Sequence, residues 1–457
     1  FTSPSRMESV VGSPARAAGS AALSGQQVDL IDATVITRSG NLMLNASGGE
    51  LALGNGSFNA AGNLNAQASD SETGAGEMVI AGSELRAGAT LALAADQAIN
   101  DLGEDSAVAA LLSGQAISLD AARIDLAAQG SLQASNTLTV ASRGNINISG
   151  SLSGDTVTVS ALGSTQLANA SAGSQLSIDS VGNLRTGALS APDLQARSQT
   201  GALELGALNA GATGSVILQA ASTLSSGNID TLNLQASAQA LSFADIAIGG
   251  ALQLNASAGD LLVGTVNADS VDLTASGNLN YTSLSSSGDT SLQAGAQISG
   301  GQINAATIAL SGTEGVSAGG SLNAANVSVV SDNGALSLSS INAGANGTVV
   351  LQAASTLLSG SIDTFDLQAT AQALNFADVT IGGALNLNAS TGNLVLGTVD
   401  AGDISLNAAG DIRFTALRSA TDASLQAGQQ ISGGAIGGGD ITLNAGDTLG
   451  LSGALNG

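Results

Sequence analysis

The chain has 457 residues, 44 % of them apolar and only 2 % aromatic, with no Cys, no His and no Trp. Its net charge of −25 sets 35 acidic residues against 10 basic ones, and every basic residue is Arg. This excludes Ser-His-Asp and Cys-His catalysis and the usual zinc sites, provides no disulfide, and disfavours nucleic-acid phosphates and anionic lipid surfaces as ligands.

Residues 1–26 hold two of the three prolines, Pro4 and Pro14, with Arg6 and Arg16, and show no strand-like alternation. They read as an irregular lead-in. Phe1 is not an initiator, which suggests an internal or processed piece of something longer. From Val28 onward, short segments alternate apolar and polar residues between turns of Gly, Asn, Asp and Ser. VDLIDATVI, NLMLNA, ELALG, LTVASRGNINISGSL, VTVSA and LSIDS are examples. Period-two alternation bounded by turn formers signals strands. Residues 27–193 form one such region, least regular over 66–115. There ASDSETGAGEM and INDLGEDSA are polar and acidic and are expected to leave the scaffold as loops.

Two longer copies follow, 194–326 and 327–457. Val216–Val266 and Val349–Val399 run almost in parallel, in a register that holds without a gap to the end of the chain. Inside these copies a shorter unit starts at Ala251, Val271, Thr290, Ile308, Val327, Val349 and Leu367, and the next start is Ala384, the equivalent of Ala251. Seven short units therefore make one long copy. In the unit Val271–Asp289, Val271 and Leu273 share one face, Leu279 and Tyr281 alternate after a turn at Ala275–Gly277, and Leu284 supplies a third apolar position. Similar residues recur one unit later rather than across a tight hairpin. Stacked parallel coils satisfy that recurrence, and a fixed period of about 19 residues means a solenoid. The expected fold is an all-β parallel β-helix of roughly 22 coils, on the order of 100 Å long at the inter-strand spacing of a sheet. Near-absence of proline fits strands that must all donate to the ladder, and Pro192, in ALSAPDL, suits a corner. Phe243 and Phe376, and Tyr281 and Phe414, are equivalent across the long repeat and read as core ladder positions.

No catalytic, cofactor-binding or metal-ligating residue stands out. Gly433–Asp440 (GGAIGGGD) lacks the Lys of a phosphate cradle and reads as a corner. A polysaccharide-cleaving β-helix needs clustered carboxylates, whereas Asp260, Asp269, Asp272 and Asp289 lie singly at turns, and Ser198–Ile412 contains no Arg at all. Acidity of this kind keeps a long exposed surface soluble and self-repelling, with divalent-cation binding by surface Asp rows as the sharper reading.

The units VDLTASGNLNYTSLSSSGD, ISLNAAGDIRFTALRSATD and LTVASRGNINISGSLSGDT share a pattern of strand, Ala/Ser, Gly-Asn/Asp, strand. This pattern resembles the repeats of filamentous haemagglutinins, large exoproteins of Gram-negative two-partner secretion, over nearly the whole chain from about Val28. The resemblance implies a right-handed β-helix, exported through an outer-membrane transporter partner and displayed at, or shed from, the bacterial cell surface. It implies an adhesive or biofilm-matrix shaft, with the stick of a contact-dependent toxin-delivery protein as the alternative; a polysaccharide-active enzyme is more distant. Neither the family's N-terminal secretion domain nor a toxin module is evident. With basic residues so scarce, the expected partner is a neutral polysaccharide or a neighbouring copy of the chain, met through the acidic segments Asp70–Glu77 and Asp101–Asp105.

Overall fold

In a computed structural model the described residues are 6–8, 15–70, 72–101, 110–126 and 130–457. Strands make up 72 % of the chain, no helix occurs among the described residues, and the solenoid makes about 23 turns with a ~19-residue period, consistent with the right-handed parallel β-helix. Two compact units divide the chain, Phe1–Asn233 and Leu234–Gly457.

In Leu234–Gly457 three inward rows define the coil. The first runs Leu252, Val271, Thr290, Ile308, Val327, Val349, Leu367, Leu385 and Ile404, each paired in parallel with the next. Its steps are nearly equal, and only the coil from Val327 to Val349 is noticeably longer. The unit starts at Leu252 and Leu385, not at Ala251 and Ala384. Ala251 is exposed and pairs with Ser270, while Leu252 is 1 % exposed. A second row passes through Leu261, Leu279 and Ile298, and a third through Val266, Leu284 and Ile303. All the apolar positions expected of Val271–Asp289 are buried: Val271, Leu273, Leu279, Tyr281 and Leu284. The second and third segments are not separated by a turn, because Leu279–Ser286 is one continuous strand that bends between its two faces. Phe243, Phe376, Tyr281 and Phe414 are buried as well, and burial pushes the Tyr281 hydroxyl up from its ordinary value.

Phe1–Asn233 follows the same plan with less even coils. One inward row runs Val28, Leu51, Met78, Ile99, Ile124, Ile146, Thr165, Leu184, Leu203 and Leu224. Up to Ile146 the coils are long and unequal, the longest reaching from Leu51 to Met78; from Ile146 to Leu203 they are equal. Among the described residues of 66–115, Glu77–Val79, Glu84–Ala87, Thr90–Ala95, Ala98–Asn100 and the start of Leu111–Ala121 are strands of the scaffold. The segment 1–26, expected to be irregular, also contributes strands. Arg6–Glu8, Ala15–Ala17 and Ala21–Gly25 pair in parallel with the coil above. Small residues dominate Ala15–Gly25, so this coil lacks the branched side chains that announce a strand. Pro192 sits in a bend, where its carbonyl accepts the Ser215 N–H at 2.8 Å.

Thr165 is the one hydroxyl in its otherwise apolar row. It is 2 % exposed, and its Oγ1 has no hydrogen-bond partner among the described residues. Burying a hydroxyl without a partner costs about 1–3 kcal/mol. Thr165→Val, which keeps the shape, should therefore raise the free energy of unfolding by about 1 kcal/mol in urea titrations.

Candidate ligand-contact surfaces

Recurrent Gly-Asn and Gly-Asp pairs prove to be brackets between coils. Asp260 Oδ1 accepts the backbone N–H of Asn278 at 2.7 Å, and Asn278 Oδ1 accepts that of Gln297 at 3.4 Å. In the second long copy, Asn393 Oδ1 accepts Asp411 N–H at 2.8 Å, and Asp411 Oδ1 accepts Gln430 N–H at 3.1 Å. Asp and Asn thus exchange places between the copies while the geometry holds, since only an acceptor oxygen is required. The preceding glycine makes room for this oxygen. A Cβ on Gly277 would collide with Asp260 Oδ1, and one on Gly410 with Asn393 Oδ1. Each Gly also stacks on the Gly below, with Gly277 N–H donating to Gly259 C=O at 2.8 Å.

This places the acidic residues. In Leu234–Gly457, Asp245, Asp260, Asp366, Asp378, Asp411 and Asp422 all accept a backbone N–H from the next coil, at 2.7–3.1 Å. Asp269 accepts from the Ser287 hydroxyl, and Asp289 from that of Thr307 at 2.7 Å. No group of three His, Cys, Asp or Glu able to hold a metal occurs among the described residues.

Three outward rows run along the broad face of this unit, and the two inner ones are almost neutral, whereas the edge row includes Asp289, Asp366 and Asp403. The two inner rows read Gln253, Asp272, Ser291, Ala309, Ser328, Val350, Gln368, Asn386, Ser405 and Ser424, and Asn255, Thr274, Gln293, Ser311, Val330, Gln352, Thr370, Asn388, Asn407 and Gln426. Asp272 is the single charge in these two rows. Neighbouring amides touch within a row, as where Asn407 Nδ2 donates to Asn388 Oδ1 at 2.9 Å. The sequence alone does not reveal this sorting of charge, which depends on which side of the coil each Asp occupies.

Among the described residues of the acidic segments named as contact regions, Glu72 is exposed, whereas the carboxylates of Asp70 and Glu77 are hydrogen-bonded and Asp101 is buried. Asp70 is half-buried, and its oxygens accept the Thr73 hydroxyl and the N–H groups of Glu72 and Thr73, at 2.9 and 3.2 Å for the latter two. These bonds, that of the Thr73 side chain foremost, hold its carboxyl below the usual range. Glu77 belongs to a strand and accepts from Asn100 Nδ2. Asp101 is 5 % exposed; Glu104 and Asp105, like Ser71, lie outside the described residues.

Glu50 stacks directly on Glu77. Partial burial, followed by the nearby charges of Asp29 and Glu77, raises its pKa above the ordinary glutamate value. The folded state therefore holds that proton more tightly than the unfolded chain, and stability is lost as pH rises through the raised value. Glu50→Gln should unfold at higher urea than the parent at neutral pH, with the difference closing below the ordinary glutamate range.

No helix among the described residues is long and apolar enough to cross a membrane. No protein-family model, curated protein or solved structure matches the chain.

Proposed function

We propose that this chain is the β-helical shaft of a secreted surface exoprotein of the filamentous haemagglutinin type, and that it mediates cell–cell, cell–surface or matrix attachment. The broad face of Leu234–Gly457, with its two near-neutral inner rows, carries this reading. It sets amides and hydroxyls in two rows at the coil rise of about 4.8 Å, with one carboxylate and no cation in either row from Gln253 to Gln426. Such rows make many weak hydrogen bonds to a repetitive neutral partner, either a polysaccharide or the same face of another copy. Weak contacts in series multiply through effective concentration. Export through an outer-membrane transporter fits a Cys-free chain whose coils stack one after another on their neighbours.

Coating beads with the purified chain tests this. Coated beads should cluster, or attach to cells bearing a neutral polysaccharide coat, in a salt-insensitive way, because the contacts are uncharged. Beads that stay dispersed and unattached, or attach only at low salt, would count against the adhesive reading.

A further inference from the structure

We infer that a groove in Phe1–Asn233, about 450 Å³ in volume and crossing four consecutive coils, is a specific site for a neutral oligosaccharide. Asn147, Gln166, Arg185 and Glu204 line it, each paired with the next one coil on, with Asn145 and Asn183 at its corner edge. The inference rests on the adhesive reading only for the general class of partner.

Hydrogen-bond bookkeeping sets the chemistry. Asn145 Oδ1 accepts the Ser164 N–H at 2.8 Å and Asn183 Oδ1 the Ala202 N–H at 2.9 Å, so each amide is fixed in place with its Nδ2 still able to donate. Asn147 Nδ2 donates to Asp125 Oδ1 at 2.9 Å, leaving its own oxygen as an acceptor. Gln166 presents a donor and an acceptor. Arg185 Nε and Glu204 Oε2 are 3.7 Å apart, and both side chains are more than half exposed. Donors and acceptors thus interleave along the groove, which suits hydroxyl groups that both give and accept a proton. An anionic ligand would meet Glu204, and a cationic one Arg185. The corner amides are held by backbone bonds, so little ordering is needed on binding. The coil rise is also close to the advance of one pyranose unit along a chain.

The groove is not repeated. Asn147, Gln166 and Arg185 precede the long duplicated segment, and the counterpart of Glu204 in the second copy is Ser337. In Leu234–Gly457 the corresponding row holds Asn280 and Asn375 singly, the first between Leu262 and Ser299 and the second between Leu358 and Val395. Nowhere along it do amides stand on consecutive coils, as Asn147 and Gln166 do.

The test titrates the full chain by calorimetry with neutral tetra- to hexasaccharides of glucan, mannan and galactan type. An acidic uronate oligomer and an extended Gly-Ser peptide serve as competing classes. At least one neutral oligosaccharide should bind. Gln166→Ala and Arg185→Ala should each weaken it by about fivefold or more, without a change in strand circular dichroism or urea midpoint, while Asn375→Ala, at an isolated amide of the corresponding row in Leu234–Gly457, leaves it unaltered. Failure of every neutral oligosaccharide to bind, preference for the uronate or the peptide, or indifference to both groove variants would overturn the site. If beads still attach in any of those cases, the groove alone is refuted. If oligosaccharide binds the groove but beads do not attach, the adhesive function is refuted and the groove stands.

Discussion

Gly277→Ala is expected to lower the unfolding free energy of the chain by about 2–4 kcal/mol, a large effect for one methyl group. The added Cβ would occupy the space of Asp260 Oδ1 and also press on the Gly259 carbonyl. Overpacking of this kind costs about 1–3 kcal/mol. Displacing the carboxylate also strips the Asn278 N–H of its partner, for about a further 1 kcal/mol. Asp260→Ala alone should cost only the latter, and Asp260→Asn almost nothing, since Asn393 performs the same task in the second copy. A double-mutant cycle in urea should show Asp260→Ala rescuing part of the Gly277→Ala loss. The rescue stays partial because the Gly259 backbone contact remains. Additive losses, or a Gly277→Ala protein as stable as the parent within the usual scatter of about 0.5 kcal/mol, would contradict the bracket.

Removing Leu252–Ala384, one whole long repeat, should leave a folded and shorter protein. The deletion joins Ala251 to Leu385, and Leu385 would then lie on Leu234. In the intact chain Leu385 pairs with Leu367, the equivalent of Leu234, and Leu252 pairs with Leu234. Ala236 and Ala238 likewise correspond to Ala369 and Ala371, all four of them buried. The new junction therefore meets the residues it met before, which nearest-neighbour stability requires. Strand circular dichroism per residue should be unchanged, with the urea m-value reduced as less surface is exposed on unfolding. Loss of cooperative unfolding would mean that coils depend on more than their neighbours. Extending the deletion through Leu385 supplies the comparison. It sets Asn386 on Leu234 and turns Leu387 outward, because a slip of one position exchanges the two faces of a strand. That protein should unfold at markedly lower urea.

How far the sequence could be read depended on how evenly its coils are cut. Between Ile146 and Leu203 and through most of Leu234–Gly457, coils of nearly equal length keep like above like, and apolar alternation identified the buried positions. Over Val28–Ile124 the coils are longer, most of all between Leu51 and Met78. Extra residues at corners such as Glu72–Gly76 broke the period there without breaking the stack. The shift from Ala251 to Leu252 arose because apolar Ala sits on both faces of a strand and cannot mark which side is inward. The Gly-Asn/Asp pairs were visible as a motif, but their purpose is a contact between residues one coil apart and emerges only when the coils are superposed. The same holds for the groove, whose residues come from successive coils and share no local signature.

The most direct test of the central proposal, an adhesive shaft rather than an enzyme, is co-sedimentation of the purified chain with neutral and acidic polysaccharides of graded length, followed by sizing of the polysaccharide. The proposal predicts retention of neutral chains, with apparent affinity rising steeply with length as more rows engage, and recovery of those chains at their original size. Shortened chains, or retention of the acidic polysaccharide alone, would contradict it.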